Sequence, residues 1–104
     1  MKTIRVNPGV CGLVSTITAD GGGDTDVNIT VETQCKNVQK MIEALEQPLD
    51  AYEVCFGKPG TGEVYEAAEN LAHAACPVPS ALLKCIEAEA GLALPKNASF
   101  EFVE

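Results

Sequence analysis

Five cysteines, at positions 11, 35, 55, 76 and 85, are the residues of this chain best suited to chemistry. Thiolates bind soft metals, attack disulfides and change oxidation state. Five in 104 residues is rich, and the odd number argues against a complete disulfide framework. In a reducing compartment such usage points to metal or redox work. Cys76 stands out. It lies in His73-Ala74-Ala75-Cys76-Pro77-Val78-Pro79-Ser80, just before the most clearly written helix of the chain. Free N–H groups and the positive end of the helix macrodipole favour an anion there, which eases formation of its thiolate. His73 precedes it by three, and an H-x-x-C pair can chelate one ion from a single loop.

Cys11, Cys35, Cys55 and Cys76 share a local signature, because each stands at an element boundary beside turn or cap residues. Four thiolates at such boundaries suit tetrahedral zinc or an iron–sulfur cluster, with these four as the ligands and His73 as a fifth candidate. The competing structural reading is a buried thiol, since free cysteine is among the most buried residue types. Cys85 fits that reading, one residue before Ile86 and three after Leu82 within a helix. No C-x-x-C occurs, so neither a zinc ribbon nor a thioredoxin-type pair is signalled. A second functional reading makes Cys76 the reactive thiolate of a redox or sulfur-handling protein, resolved by Cys35 or Cys55. A third is a structural or adaptor domain with all its cysteines in the core.

These thiols must be positioned by the surrounding elements. Thr3 to Val6 reads as a short strand ended by Asn7-Pro8-Gly9. From Cys11, residues Leu13, Ser15, Ile17 and Ala19 face one side of a second strand. Val27, Ile29, Val31 and Thr33 do the same in a third, across the loop from Asp20 to Asp26. A hairpin centred on Gly23 pairs 19 with 27 and 11 with 35, which brings Cys11 opposite Cys35 with Cβ atoms about 4.5–5.5 Å apart. A helix over 36–46 buries Val38, Met41, Ile42 and Leu45. A short turn then leads from Asp50 to Cys55. Thr61 caps a helix over 62–71, and the last helix runs from about Pro79 to Ala90, stopped by Gly91 and Pro95. Ser99-Phe100-Glu101-Phe102-Val103 alternates as a final strand with both rings inward, pairing with the hairpin or with 3–6.

Composition closes off several functions. Seven Lys+Arg face 15 Asp+Glu, a net charge of −8 with no basic cluster, so nucleic acid is not an expected partner. No window reaches the length of a membrane span and the amino terminus lacks the apolar core of a signal peptide, so no membrane association is expected and the location is taken as cytoplasmic. A protein partner stays open. Gly21-Gly22-Gly23 is flanked by Asp20, Asp24 and Asp26, which repel phosphate, and reads as a flexible hairpin loop. Glu43, Glu46, Glu63, Glu66, Glu69, Glu87 and Glu89 read as solvated helix faces, with no pairing that supports acid–base hydrolysis.

The order of a hairpin, Cys35 opening a helix, Cys55 after a short turn, and Cys76-Pro77 before a helix carrying Ile86-Glu87 resembles the TSCPD domain. That cysteine-bearing module is found in proteins linked to ribonucleotide reductase. The resemblance runs from about Cys11 to Ala90 and keeps Cys-Pro of the signature. It implies a metal or thiol role for Cys35, Cys55 and Cys76. The segments Pro8-Gly9-Val10-Cys11-Gly12 and Cys76-Pro77-Val78-Pro79-Ser80 are also similar to a small conserved family of unknown function in anaerobic bacteria and methanogenic archaea. The expected architecture is one α+β domain over residues 1–104: an antiparallel sheet of three or four strands, with three or four helices packed on one face. The leading expected function is a cysteine-ligated metal or iron–sulfur binding domain.

Overall fold

The computed structural model describes all 104 residues. Strand β1 spans Lys2–Val6, β2 Ser15–Asp20 and β3 Asp26–Thr33; helix α1 spans Lys36–Glu43, the short β4 Leu49–Asp50 and α2 Ala51–Cys55; α3 covers Glu63–Ala67, a 3-10 turn Ala68–Asn70, and α4 Val78–Glu89. The four strands form one antiparallel sheet in the order β1-β2-β3-β4. The fold is therefore α+β, a four-stranded antiparallel sheet with four helices.

Alternation along the strands decides which face is covered. Ser15, Ile17 and Ala19 of β2 and Val27 and Ile29 of β3 are buried, while Thr16, Thr18, Asn28, Thr30 and Glu32 between them are not. Helix α4 lies against β1 and β2, and α1 against β3. Leu82 and Ile86 of α4 and Met41 of α1 join Ile17, Val27 and Leu49 in a single cluster of 18 buried residues. On the open face threonines pair with one another, as between Thr3 and Thr18 hydroxyls at 3.0 Å.

The hairpin register differs from expectation by two residues. Ala19 pairs with Ile29 and Ser15 with Thr33, so the ladder centres on Asp24 rather than Gly23. A slip of two preserves the faces. It comes from a turn displaced into the loop: Gly22 and Gly23 both adopt positive φ, and the Asp24 N–H bonds the Gly21 carbonyl at 2.9 Å. The strand also begins later than expected. Residues 9–12 form a separate turn closed by the Gly12 N–H on the Gly9 carbonyl, and Cys11 sits in it.

Helix α1 ends three residues early, though Leu45 is still buried. After it, the Gln47 side-chain oxygen accepts the Ile29 N–H at 2.7 Å, standing in for a strand partner before β4 begins. Thr61 does not cap α3. Its hydroxyl donates back to the Lys58 carbonyl at 2.6 Å, and Gly62 occupies the cap position instead. Helix α4 closes as expected. Gly91 at φ 76° donates to Ala88, and the Leu92 N–H reaches the Glu87 carbonyl at 2.8 Å, the paired bonds of a Schellman ending. The expected strand 99–103 is not formed: the segment lies outside the sheet, with Phe100 and Phe102 in water rather than inward.

Glu89, read from the sequence as solvated, is buried. Its Oε2 accepts the Gly21 N–H at 2.9 Å and the Gly23 N–H at 3.4 Å, and its Oε1 meets the amino-terminal ammonium of Met1 at 2.9 Å. One carboxylate thus ties the end of α4 to the hairpin turn and to the start of β1. The Gly21 amide bond, with the ammonium after it, holds this carboxyl down at about 2. Gly21 itself is fixed by space, because a Cβ there would lie 2.6 Å from the Asp26 carbonyl oxygen.

Candidate functional site

With its far end anchored by Glu89, α4 presents its amino end as a defined platform. Cys76 lies two residues before the first helical residue, with Pro77 at the cap, and its own N–H bonds the His73 carbonyl at 3.2 Å. That tight turn places Cys76 and His73 on the wall of one cleft of about 160 Å³. Tyr65, Ala68, Leu71 and Ser80 are among its other walls. The hydroxyls of Tyr65, on α3, and Ser80, on the first turn of α4, are 3.4 Å apart. The cleft is therefore walled by residues that carry a thiol, an imidazole and two hydroxyls.

The same two residues, Tyr65 and Ser80, also line a neighbouring cleft of about 250 Å³ that contains Cys55, Lys58, Lys84 and Glu87. Cys55 closes α2 and points its sulfur toward the Leu83 carbonyl at 3.9 Å. Burial, with Glu87 adding to it, pushes this thiol up to about 11. It is held as the neutral thiol at physiological pH, which makes it a poor nucleophile.

The remaining sulfurs are placed elsewhere. Cys35 caps α1 through its backbone alone. Its N–H donates to the Thr33 hydroxyl at 3.1 Å, which also accepts from Ser15 at 2.9 Å, and the thiol is half-buried against the core. Cys11 is exposed in the turn 9–12 and is not set across a ladder from Cys35. Cys85 is buried under the sheet as expected, its thiol donating to the Lys2 carbonyl at 3.3 Å, and burial raises its pKa.

The fold brings Cys76 and His73 together and sets Cys55 in the adjoining cleft. It does not gather Cys11, Cys35, Cys55 and Cys76: no three His, Cys, Asp or Glu side chains lie where they can hold one metal ion. A tetrahedral zinc or iron–sulfur centre needs four converging donors, so the donor set does not fit such a group within one chain. Sequence reasoning missed Tyr65 and Ser80, which reach the cleft through the approach of α3 to α4.

These features define a small α+β protein whose antiparallel sheet supports a helix with a thiol-bearing cleft at its amino end. No helix is long and apolar enough to cross a membrane. The chain belongs to a family of unknown function, DUF6951, whose model matches residues 2–102. No match was found among curated proteins or among solved structures.

Proposed function

We propose that the protein handles thiols or sulfur through Cys76, acting as a nucleophile in the cleft it shares with His73. The observation that carries this reading is the convergence of Cys76, His73, Ser80 and Tyr65 on one small cavity at the start of α4. In this chemistry Cys76, as its thiolate, attacks one sulfur of a disulfide. The substrate S–S bond breaks, its second sulfur leaves as a thiolate, and Cys76 is left in a mixed disulfide. A second thiol from solution then releases it, so the cycle needs no added oxidant.

Cys55 is the nearest resolving candidate by cleft, but its raised pKa favours resolution from outside at neutral pH. The experiment is exposure of the reduced protein to a small aromatic disulfide, with the modified residue located by mass spectrometry. Mixed disulfide accumulating at Cys76 ahead of the exposed Cys11 supports the reading. Modification that follows exposure alone, with Cys11 first, overturns it.

A further inference from the structure

Residues 93–104 follow the Gly91 cap without joining helix or sheet. Phe100 and Phe102 are 95% and 103% exposed and Val103 is 83% exposed, although Ser99 to Val103 carries the two-residue alternation of a strand. In a strand the two phenylalanines would share one face, which is left in water here.

The sheet has a matching vacancy at β1, the terminal strand of the order. Its outward N–H and C=O groups have no strand beside them. Ile4, on this terminal strand, pairs with the fully buried Ile17 on the inner face yet stays half-buried. Laid antiparallel on β1, the tail has a register in which every pair is complementary. Phe100 falls opposite Val6 and Phe102 opposite Ile4, so both rings extend the covered face. Glu101 then falls opposite the exposed Arg5, and Val103 opposite Thr3. Opposite charges directly across a ladder stabilise it, and a one-residue slip destroys all of these pairs at once.

Direction decides which copy supplies the strand. The tail leaves α4 beside Met1, because Glu89 is bonded to the Met1 ammonium, and so starts at the beginning of its own β1. A strand entering β1 directly from there would run parallel to it. To enter antiparallel, residues 92–98 would first have to traverse the length of β1. The turn at Pro95, closed by the Lys96 N–H on the Leu94 carbonyl at 2.8 Å, shortens that reach.

We propose that residues 99–103 of one copy add as a fifth, antiparallel strand to the β1 edge of a second copy, and reciprocally, giving a strand-exchanged dimer. Each buried phenylalanine removes about 150–250 Å² from water, so four rings supply roughly 600–1,000 Å². With the strand backbones this reaches the roughly 1,200–2,000 Å² of a stable interface. Exchange of an identical segment is a common route to dimers.

Sedimentation equilibrium of the full chain, from millimolar to micromolar, tests this. The expected mass is twice 10.9 kDa, falling to one chain in the double variant Phe100→Ser with Phe102→Ser while the thermal midpoint of the diluted, monomeric chain is unchanged. Arg5→Glu is expected to weaken association at least roughly tenfold, and Glu101→Lys in the same chain is expected to restore it. A full chain that stays monomeric throughout overturns the proposal, whether the tail then pairs with its own β1 or serves a different protein. So does a dimer indifferent to both the Phe and the charge substitutions.

Discussion

Replacing Glu89 by Gln tests whether one buried carboxylate fixes the platform on which Cys76 stands. Glu89 takes two backbone amides of the hairpin turn and the Met1 ammonium, and its carboxyl is held at about 2 against an ordinary value of 4.5. The amide keeps the shape and one acceptor but loses the charge, so the charge-assisted part of these bonds disappears. Hydrogen bonds to charged groups contribute about 1.5–3 kcal/mol each in mutational series. We expect a loss of roughly 2–3 kcal/mol in urea unfolding at neutral pH, with the midpoint shifting and the slope unchanged. Because the folded-state pKa is depressed, the contribution is present above the unfolded value of 4.5 and is lost as pH falls from there toward 2. Wild type should therefore lose stability across that window faster than Glu89→Gln. A variant within about 0.5 kcal/mol of wild type, or one with the same acid dependence, refutes the reasoning.

Gly21→Ala should cost about 1–3 kcal/mol, because its Cβ would meet the Asp26 carbonyl and Val27 at 2.6 and 3.1 Å; thermal unfolding measures it. Cys55 has a raised folded-state pKa, so its contribution is intact below pH 9 and is lost as pH climbs toward 11. Cys55→Ala should flatten the alkaline decline seen by circular dichroism, leaving a residue of it from Cys85, whose pKa is also raised. Zinc added to the reduced chain under exclusion of oxygen should be lost on gel filtration, since no three donors converge. One equivalent retained with protection of Cys11, Cys35, Cys55 and Cys76 would restore the four-thiolate set.

The elements were legible where periodicity and punctuation agree. Val78, Leu82 and Ile86 mark the buried stripe of α4, and Gly91 with Pro95 marks its end. The hairpin faces were legible for the same reason, but register was not. It depends on how three consecutive glycines distribute a turn, two of whose amides are bonded by the distant Glu89. A signal for Glu89 did exist. It lies three residues beyond Ile86 and seven beyond Leu82, on the apolar stripe, where an acid must find partners. The tail misled because alternation reports a tendency to pair and does not show that a partner strand lies within reach. Of the thiols, the placing of Cys76 and His73 on one cleft followed from spacing of three in one loop. The separation of Cys11, Cys35 and Cys55 followed from tertiary placement that no local pattern encodes.

The most direct test of the Cys76 reading compares each cysteine with itself. Alkylation rates at neutral pH, resolved residue by residue by mass spectrometry, are measured in the folded chain and again in denaturant. The cleft is expected to make Cys76 react faster folded than unfolded, and His73→Gln should erase the gain. Cys11 should react alike in both states, and Cys35, Cys55 and Cys85 more slowly when folded. A Cys76 that reacts more slowly in the folded chain, or that ignores His73→Gln, contradicts the account.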